Sequence, residues 1–133
     1  MNEENTQKLF KEFPEFFKHS ENIQESLMAF GFEYSDGWFD LTYKLCKDIR
    51  DWFIKHRGKI PEEFYLTQCK EKFGGLRFYI SCAPKEIHDM IHKAEEESYT
   101  ICEICGKPGK LRDDLGWWLT LCNKHYEEKR KNK

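Results

Sequence analysis

Apolar residues recur at steps of three and four through the middle of the chain and predict two amphipathic helices. The first runs from Trp38 to Phe53 and ends before Gly58 and Pro61, because glycine and proline close helices. The second begins after Pro84. The residues on their inner faces are Trp38, Leu41, Leu45, Ile49, Trp52 and Phe53 in the first helix and Ile87, Met90, Ile91 and Ala94 in the second.

The beginning of the chain has shorter helical runs. Thr6 is the expected N-cap of a first helix, Pro14 starts a further turn, and Gly31 ends the last run. The sequence therefore predicts a helical N-terminal region over residues 1–35, followed by an α+β core over residues 36–100.

Residues 64–82 change to a period of two, which predicts a β-hairpin. Gly74-Gly75 is its expected two-residue turn, because glycine accepts positive φ. Phe73 then pairs with Leu76, and Cys69 pairs with Ile80. One face is mostly apolar and is expected to pack against the first amphipathic helix, which gives helices on a small antiparallel sheet. This face carries Tyr65, Thr67, Cys69, Phe73, Leu76, Phe78, Ile80 and Cys82, with Glu71 as a charged member.

The opposite face of the hairpin is the candidate binding surface. It carries Lys70, Lys72 and Arg77 together with Tyr79. Cations interleaved with an aromatic ring suit phosphates and a stacked base, or an acidic protein. The alternative is a solvated strand face whose lysines prevent pairing with other chains.

Cys102, Cys105, Cys122 and His125 have the spacing of a tetrahedral zinc site. Two residues separate the members of each pair, and sixteen residues separate the pairs. Thiolate and imidazole suit Zn²⁺, and four protein ligands leave no position for water. We therefore expect one structural zinc ion.

The surrounding sequence predicts a treble-clef-like zinc finger over residues 101–133. Gly106 permits the tight turn of a zinc knuckle. Residues 117–121 have a strand pattern, and residues 123–131 predict a helix whose first turn holds the last ligands. The strand opens with two adjacent tryptophans, which must point to opposite faces. One is expected beside the zinc site, and the other either against the preceding domain, which is the favoured position, or on a contact surface.

Charge is unevenly distributed, although the net charge is only -2. Residues 1–36 carry -5, residues 37–100 are neutral, and residues 101–133 carry +3. This falls short of the strongly basic footprint of a nucleic-acid domain, so a protein is the first expected partner and nucleic acid the second. No membrane partner is expected.

The start of the chain is acidic and lacks a signal-peptide pattern. This favours a reducing cytoplasm, where cysteines more often bind metal than form disulfides. The cysteines outside the zinc pattern, Cys46, Cys69 and Cys82, are expected to be buried as small hydrophobic side chains.

Lys70–Tyr79, which reads KEKFGGLRFY, resembles a segment of a family of bacterial and bacteriophage proteins. Asp36-Gly37-Trp38 with Leu41, Ser98 and the cysteine–histidine module share the resemblance, which covers residues 36–126. It implies a phage or prophage protein in the cytoplasm of a bacterial host, with a host or phage protein as the expected partner, and no particular chemistry.

Enzyme classes fit the sequence less well. A zinc deaminase needs His-x-Glu and Pro-Cys-x-x-Cys, but His19-Ser20-Glu21 is far from Cys102, and Ile101 replaces the proline. A His-Asn-His nuclease needs a histidine on the zinc hairpin, and residues 107–121 contain none. Asp113-Asp114 could bind a divalent cation, but two adjacent acids in a hairpin tip are more often solvated turn residues. A cysteine hydrolase needs a thiol beside a histidine, which no local pattern supplies.

The sequence therefore favours a small, non-enzymatic zinc-binding module for protein or nucleic acid. A phage inhibitor of a host defence protein is the first alternative, since the acidic N-terminal region suits a basic surface. A metal-dependent nuclease is the second.

Overall fold

The computed structural model describes residues 1–132 and confirms the α+β class. Across these residues the α-helices are α1 (Glu3–Glu12), α2 (Phe39–Arg57), α3 (Lys85–Ser98) and α4 (Asn123–Lys131). The strands are β1 (Phe32–Glu33), β2 (Leu66–Lys72), β3 (Gly75–Ile80), β4 (Lys110–Arg112) and β5 (Leu119–Leu121). Short 3₁₀ turns occur at Pro14–Phe17, Met28–Phe30 and Asp36–Trp38.

The larger sheet has the order β1-β2-β3 and is mixed rather than purely antiparallel. β2 and β3 form the predicted hairpin, and β1 pairs in parallel with β2 through Phe32 opposite Cys69. β1 comes from the N-terminal region, so the sheet itself joins residues 1–35 to the rest of the chain. β4 and β5 form a separate antiparallel ribbon.

The hairpin turn lies one residue earlier than the sequence predicts. Lys72 pairs with Gly75, which leaves Phe73 and Gly74 as the turn with φ of 54° and 86°. Two consecutive positive φ values are those of a type I′ turn. The predicted pairs of Phe73 with Leu76 and Cys69 with Ile80 are therefore wrong.

Side chains around the turn explain the shift. The carboxylate of Glu71 accepts a hydrogen bond from the backbone N–H of Gly74 over 2.7 Å, so this unexpected acid caps the turn. Gly75 serves packing instead: a Cβ at this position would lie 2.4 Å from the ring of Tyr99. Cys69 consequently faces Phe78, and both are buried.

One hydrophobic core includes residues from both the N-terminal region and the α+β core. The aromatic side chains of residues 1–35 that enter it include Phe13, Phe16, Phe17, Phe32 and Tyr34. The predicted inner residues of α2, Leu41, Leu45, Ile49 and Phe53, are buried with Leu76 and Phe78. Phe73 was expected in this layer but is 63% exposed, because the turn directs it away from the sheet.

Helix α3 covers the outer edge of β3. The backbone N–H of Leu76 donates to Ser98 Oγ over 2.9 Å, and that of Phe78 donates to Glu95 Oε2 over 3.0 Å. These amides point away from β2 and would otherwise lack partners. The helix therefore both packs on the strand and closes its edge to other chains.

Two local predictions are also wrong. Asn2 caps α1 by accepting from the N–H of Asn5, and Thr6 is instead buried one turn into the helix, where its hydroxyl donates to the carbonyl of Asn2. Cys82 is exposed, whereas Cys46 and Cys69 are buried as predicted.

Candidate metal centre

The four predicted ligands lie together. One ligand atom from each of Cys102, Cys105, Cys122 and His125 falls within 4.8 Å of all the others. Cys102 and Cys105 come from the turn after α3, and the other two come from the start of α4. The β4–β5 ribbon between them brings the two pairs face to face.

The spacing of the donor atoms is compatible with one structural metal ion. Cys105 Sγ is 3.8 Å from Cys122 Sγ, and Cys102 Sγ is 3.6 Å from His125 Nδ1. A tetrahedron with zinc–sulfur bonds of about 2.3 Å has edges of about 3.8 Å. Cys122 Sγ and His125 Nδ1 are somewhat closer, at 3.2 Å. Three thiols and an imidazole at these separations fit a closed tetrahedral site.

Local backbone structure builds each half of the site. After Cys102 the chain reverses: Gly106 N–H donates to Cys102 O over 2.9 Å, and Cys102 N–H donates to Lys107 O over 2.8 Å. Gly106 adopts φ of 80°, which is unfavourable for other residues. Cys122 is the N-cap of α4, and this places its sulfur beside His125 in the first turn.

The start of α4 also prepares the ligands electrostatically. The pKa of the Cys122 thiol falls to about 6, chiefly because the backbone N–H of His125 points at its sulfur from 3.5 Å. The metal-binding form of cysteine is the thiolate. On the far side of the imidazole, His125 Nε2 lies 3.9 Å from a carboxylate oxygen of Glu128. Sequence reasoning missed Glu128, although its i+3 spacing from His125 places it on the same helix face.

Residues 101–132, here called the metal module, pack on the core through the 3₁₀ turn Asp36–Trp38 that precedes α2. Gly37 N–H donates to Glu103 O over 2.7 Å, and Trp38 Nε1 donates to Ile101 O over 2.9 Å. Ser35 N–H donates to the side chain of Glu103 over 3.0 Å. Burial raises the pKa of the Glu103 carboxyl, and the Ser35 amide opposes that change by stabilising its ionised form.

A second contact joins the module to the tip of the β2–β3 hairpin. Thr120 in β5 is fully buried, and its hydroxyl donates to the carbonyl oxygen of Gly74 over 2.6 Å. Thr120 also accepts, through its backbone carbonyl, the N–H of Glu103 over 3.0 Å. One residue of the metal module therefore connects the hairpin tip with the segment that carries the first two ligands.

Neither Trp117 nor Trp118 takes the predicted position beside the zinc site. β5 begins only at Leu119, so both tryptophans lie before the strand, and they are 66% and 49% exposed. Leu115 and Leu121 pack with Cys102 and Cys122 and take the position beside the metal ligands that one tryptophan was expected to fill.

The candidate binding residues share one face of the hairpin. Lys70 pairs with Arg77, and Gln68 pairs with Tyr79, so their side chains project to the same side. Lys72 and Tyr79 are exposed. Arg77 is partly buried and donates to Leu76 O and to Tyr99 Oη, which makes it a structural residue as well. Glu33 of β1 lies beside Lys70 on the other side.

Three of the residues considered for enzymatic roles, Asp114, Cys46 and Cys69, are hydrogen-bonded within the protein or buried. Asp114 accepts a hydrogen bond from the hydroxyl of Tyr126. Burial raises the pKa of the Cys46 and Cys69 thiols, which is opposite to the shift that activates a cysteine nucleophile.

Comparison with protein-family models, curated proteins and solved structures found no match to this chain. Among residues 1–132, no helix combines the length and apolar character needed to cross a membrane.

Proposed function

We propose that the protein is a non-enzymatic binding module whose C-terminal, treble-clef-like finger is held together by one structural zinc ion. The closed donor set of Cys102, Cys105, Cys122 and His125 carries the proposal, because four protein ligands leave no open position for substrate. In such sites the metal contributes folding energy.

The metal module also stabilises the candidate binding surface, which is the outer face of the β2–β3 hairpin. The hydrogen bond from Thr120 to Gly74 fixes the hairpin tip, and Thr120 is two residues before the ligand Cys122. Metal binding thus pre-organises the strands that display Lys70, Lys72 and Tyr79. A pre-organised surface loses less conformational entropy when a partner binds.

The setting we propose is a phage or prophage protein in the cytoplasm of a bacterial host. The resemblance carried by Lys70–Tyr79 supports this setting. The partner is a host or phage macromolecule.

The test compares capture of protein and nucleic acid by wild type and by Lys70→Glu/Lys72→Glu. Arg77 stays unchanged because its guanidinium holds Tyr99. The double variant is expected to lose the wild-type partner while zinc content and Tm stay close to wild type, because Lys72 is exposed and Lys70 half-buried, and charge reversals outside the core affect association more than folding. Lys55→Glu/Lys59→Glu changes the net charge equally and should keep the partner. Capture of the same partner by Lys70→Glu/Lys72→Glu would contradict the proposed surface.

A further inference from the structure

Large apolar side chains are exposed where the tip of the β2–β3 hairpin meets the β4–β5 ribbon. Phe73, Trp117 and Trp118 are 63%, 66% and 49% exposed. The hairpin tip touches the ribbon at Gly74, where a Cβ would lie 2.4 Å from Leu111 Cδ1 and 3.3 Å from the carbonyl carbon of Trp118. Phe73 precedes Gly74 and Trp117 precedes Trp118, so the backbones that carry the three exposed rings are close together at this contact.

The rings of Trp117 and Trp118 are not part of the buried core. Within residues 1–132, Trp117 and Trp118 stack on no other ring, and their indole N–H groups donate no hydrogen bond to the protein. Trp38 shows the contrast, because it is fully buried and its indole donates to Ile101 O. A single exposed apolar side chain is ordinary, but several grouped on one part of the surface mark a binding surface.

Lysines lie beside the rings. Lys72 Nζ lies 5.6 Å from the centre of the Phe73 ring, and Lys70 projects from the same face of β2. Lys110 is exposed at the start of β4.

Carboxylates are also present near the tip. The Glu71 carboxylate is held by the Gly74 amide, and Glu33 lies beside Lys70. Asp113 and Asp114 precede Trp117 in the β4–β5 loop, where Asp114 accepts a hydrogen bond from Tyr126. The tip therefore offers rings and ammonium groups, with most of the acids on the loop side or hydrogen-bonded within the protein.

We infer that the hairpin-tip surface, formed by Phe73, Trp117, Trp118, Lys70 and Lys72, binds single-stranded nucleic acid. The rings stack on unpaired bases, and the lysines contact phosphates. The cations favour nucleic acid over protein, because protein interfaces are depleted in lysine. Stacking tolerates any base, so we expect little sequence preference. This inference rests on the proposed function and names its partner class.

The test uses a fluorescein-labelled oligothymidylate of about 20 nucleotides, with a duplex of the same length for comparison. Wild type should bind the single strand more tightly, and binding should weaken as salt rises. Phe73→Ala and Trp117→Ala should each weaken binding by about 5- to 150-fold, the range for loss of one stacking contact. Phe30→Ala removes a ring of 65% exposure from the N-terminal region and should leave affinity unchanged.

Charge reversal tests the phosphate contacts separately. Lys70→Glu/Lys72→Glu should weaken binding and make the salt slope shallower by about 1.4, which corresponds to two phosphate contacts on a single strand. Zinc content and Tm of every variant should match wild type.

Three outcomes would overturn the inference: no binding of the single strand at 50 mM salt, preference for the duplex, or unchanged affinity in both ring variants. If wild type binds no oligonucleotide but captures a protein through Lys70 and Lys72, the inference fails and the proposed function stands. If neither nucleic acid nor protein is bound through these lysines, both fail.

Discussion

The backbone N–H of Gly37 donates a hydrogen bond to the carbonyl oxygen of Glu103 over 2.7 Å. The contact is so close that a Cβ on Gly37 would lie 2.1 Å from the carbonyl oxygen of Cys102, one of the four candidate metal ligands. Glycine is therefore required here by the approach of another backbone rather than by its own φ. This contact fixes the metal module against the turn that leads into α2.

Gly37→Ala should destabilise the protein by about 3 kcal/mol, because the knuckle must move and its hydrogen bond is lost. Thermal or urea unfolding measures the change. Gly58→Ala is the matched control: Gly58 has φ of 76° but open space around its Cβ position, so only backbone strain of about 1 kcal/mol is expected. If Gly37→Ala and Gly58→Ala lose the same free energy of unfolding, the Gly37 contact does not constrain the metal module.

Phe78→Ala should cost about 3–5 kcal/mol, because Phe78 is buried between the sheet and the helices and its removal leaves a cavity. Phe73→Ala removes the same ring from the exposed turn and should change the free energy of unfolding by less than about 0.5 kcal/mol. Chemical denaturation of both variants checks the register. Similar losses of unfolding free energy in Phe78→Ala and Phe73→Ala would favour the register predicted from the sequence, in which both rings face the core.

Ser98→Ala should cost about 1–3 kcal/mol, because the buried N–H of Leu76 loses its acceptor. Amide hydrogen exchange should show faster exchange at Leu76 than in wild type. Thr100→Ala removes an exposed hydroxyl that bonds to Glu97 O and serves as the control, with little effect expected. Unchanged protection of Leu76 in Ser98→Ala would mean that α3 does not close the strand edge through this side chain.

The sequence predicts features that depend on local pattern. Helix α2 and its end at Gly58 follow from the three- and four-residue spacing and from a glycine in the left-handed conformation. The ligand group follows from spacing alone, because Cys102, Cys105 and the first turn of α4 have few ways to meet around one ion.

Features that depend on long-range packing could not be predicted in this way. The two glycines at the hairpin tip look equivalent in sequence, but Tyr99, more than twenty residues later, decides which one belongs to the turn. Pairing of Phe32 with Cys69 brings a two-residue strand into the sheet, which is too short to produce a periodic pattern. The exposure of Trp117 and Trp118 depends on where β5 begins, and strand boundaries are weakly encoded.

Cys122→Ser should reduce metal content and destabilise the C-terminal module, because binding energy at such a site is folding energy, about 10 kcal/mol in isolated fingers. Limited proteolysis of residues 101–132 and near-UV circular dichroism of the nearby tryptophans report the loss. Cys82→Ser alters an exposed cysteine outside the ligand group and should retain the metal and the protease resistance.

The metal content of wild-type protein purified without added metal decides whether the C-terminal finger holds a structural zinc ion. Elemental analysis on protein of known concentration should give about one equivalent of zinc. Its X-ray absorption spectrum should show three sulfur ligands and one nitrogen ligand, from Cys102, Cys105, Cys122 and His125. If the protein is fully folded, with residues 101–132 resistant to protease, and yet free of metal, the structural zinc site does not exist.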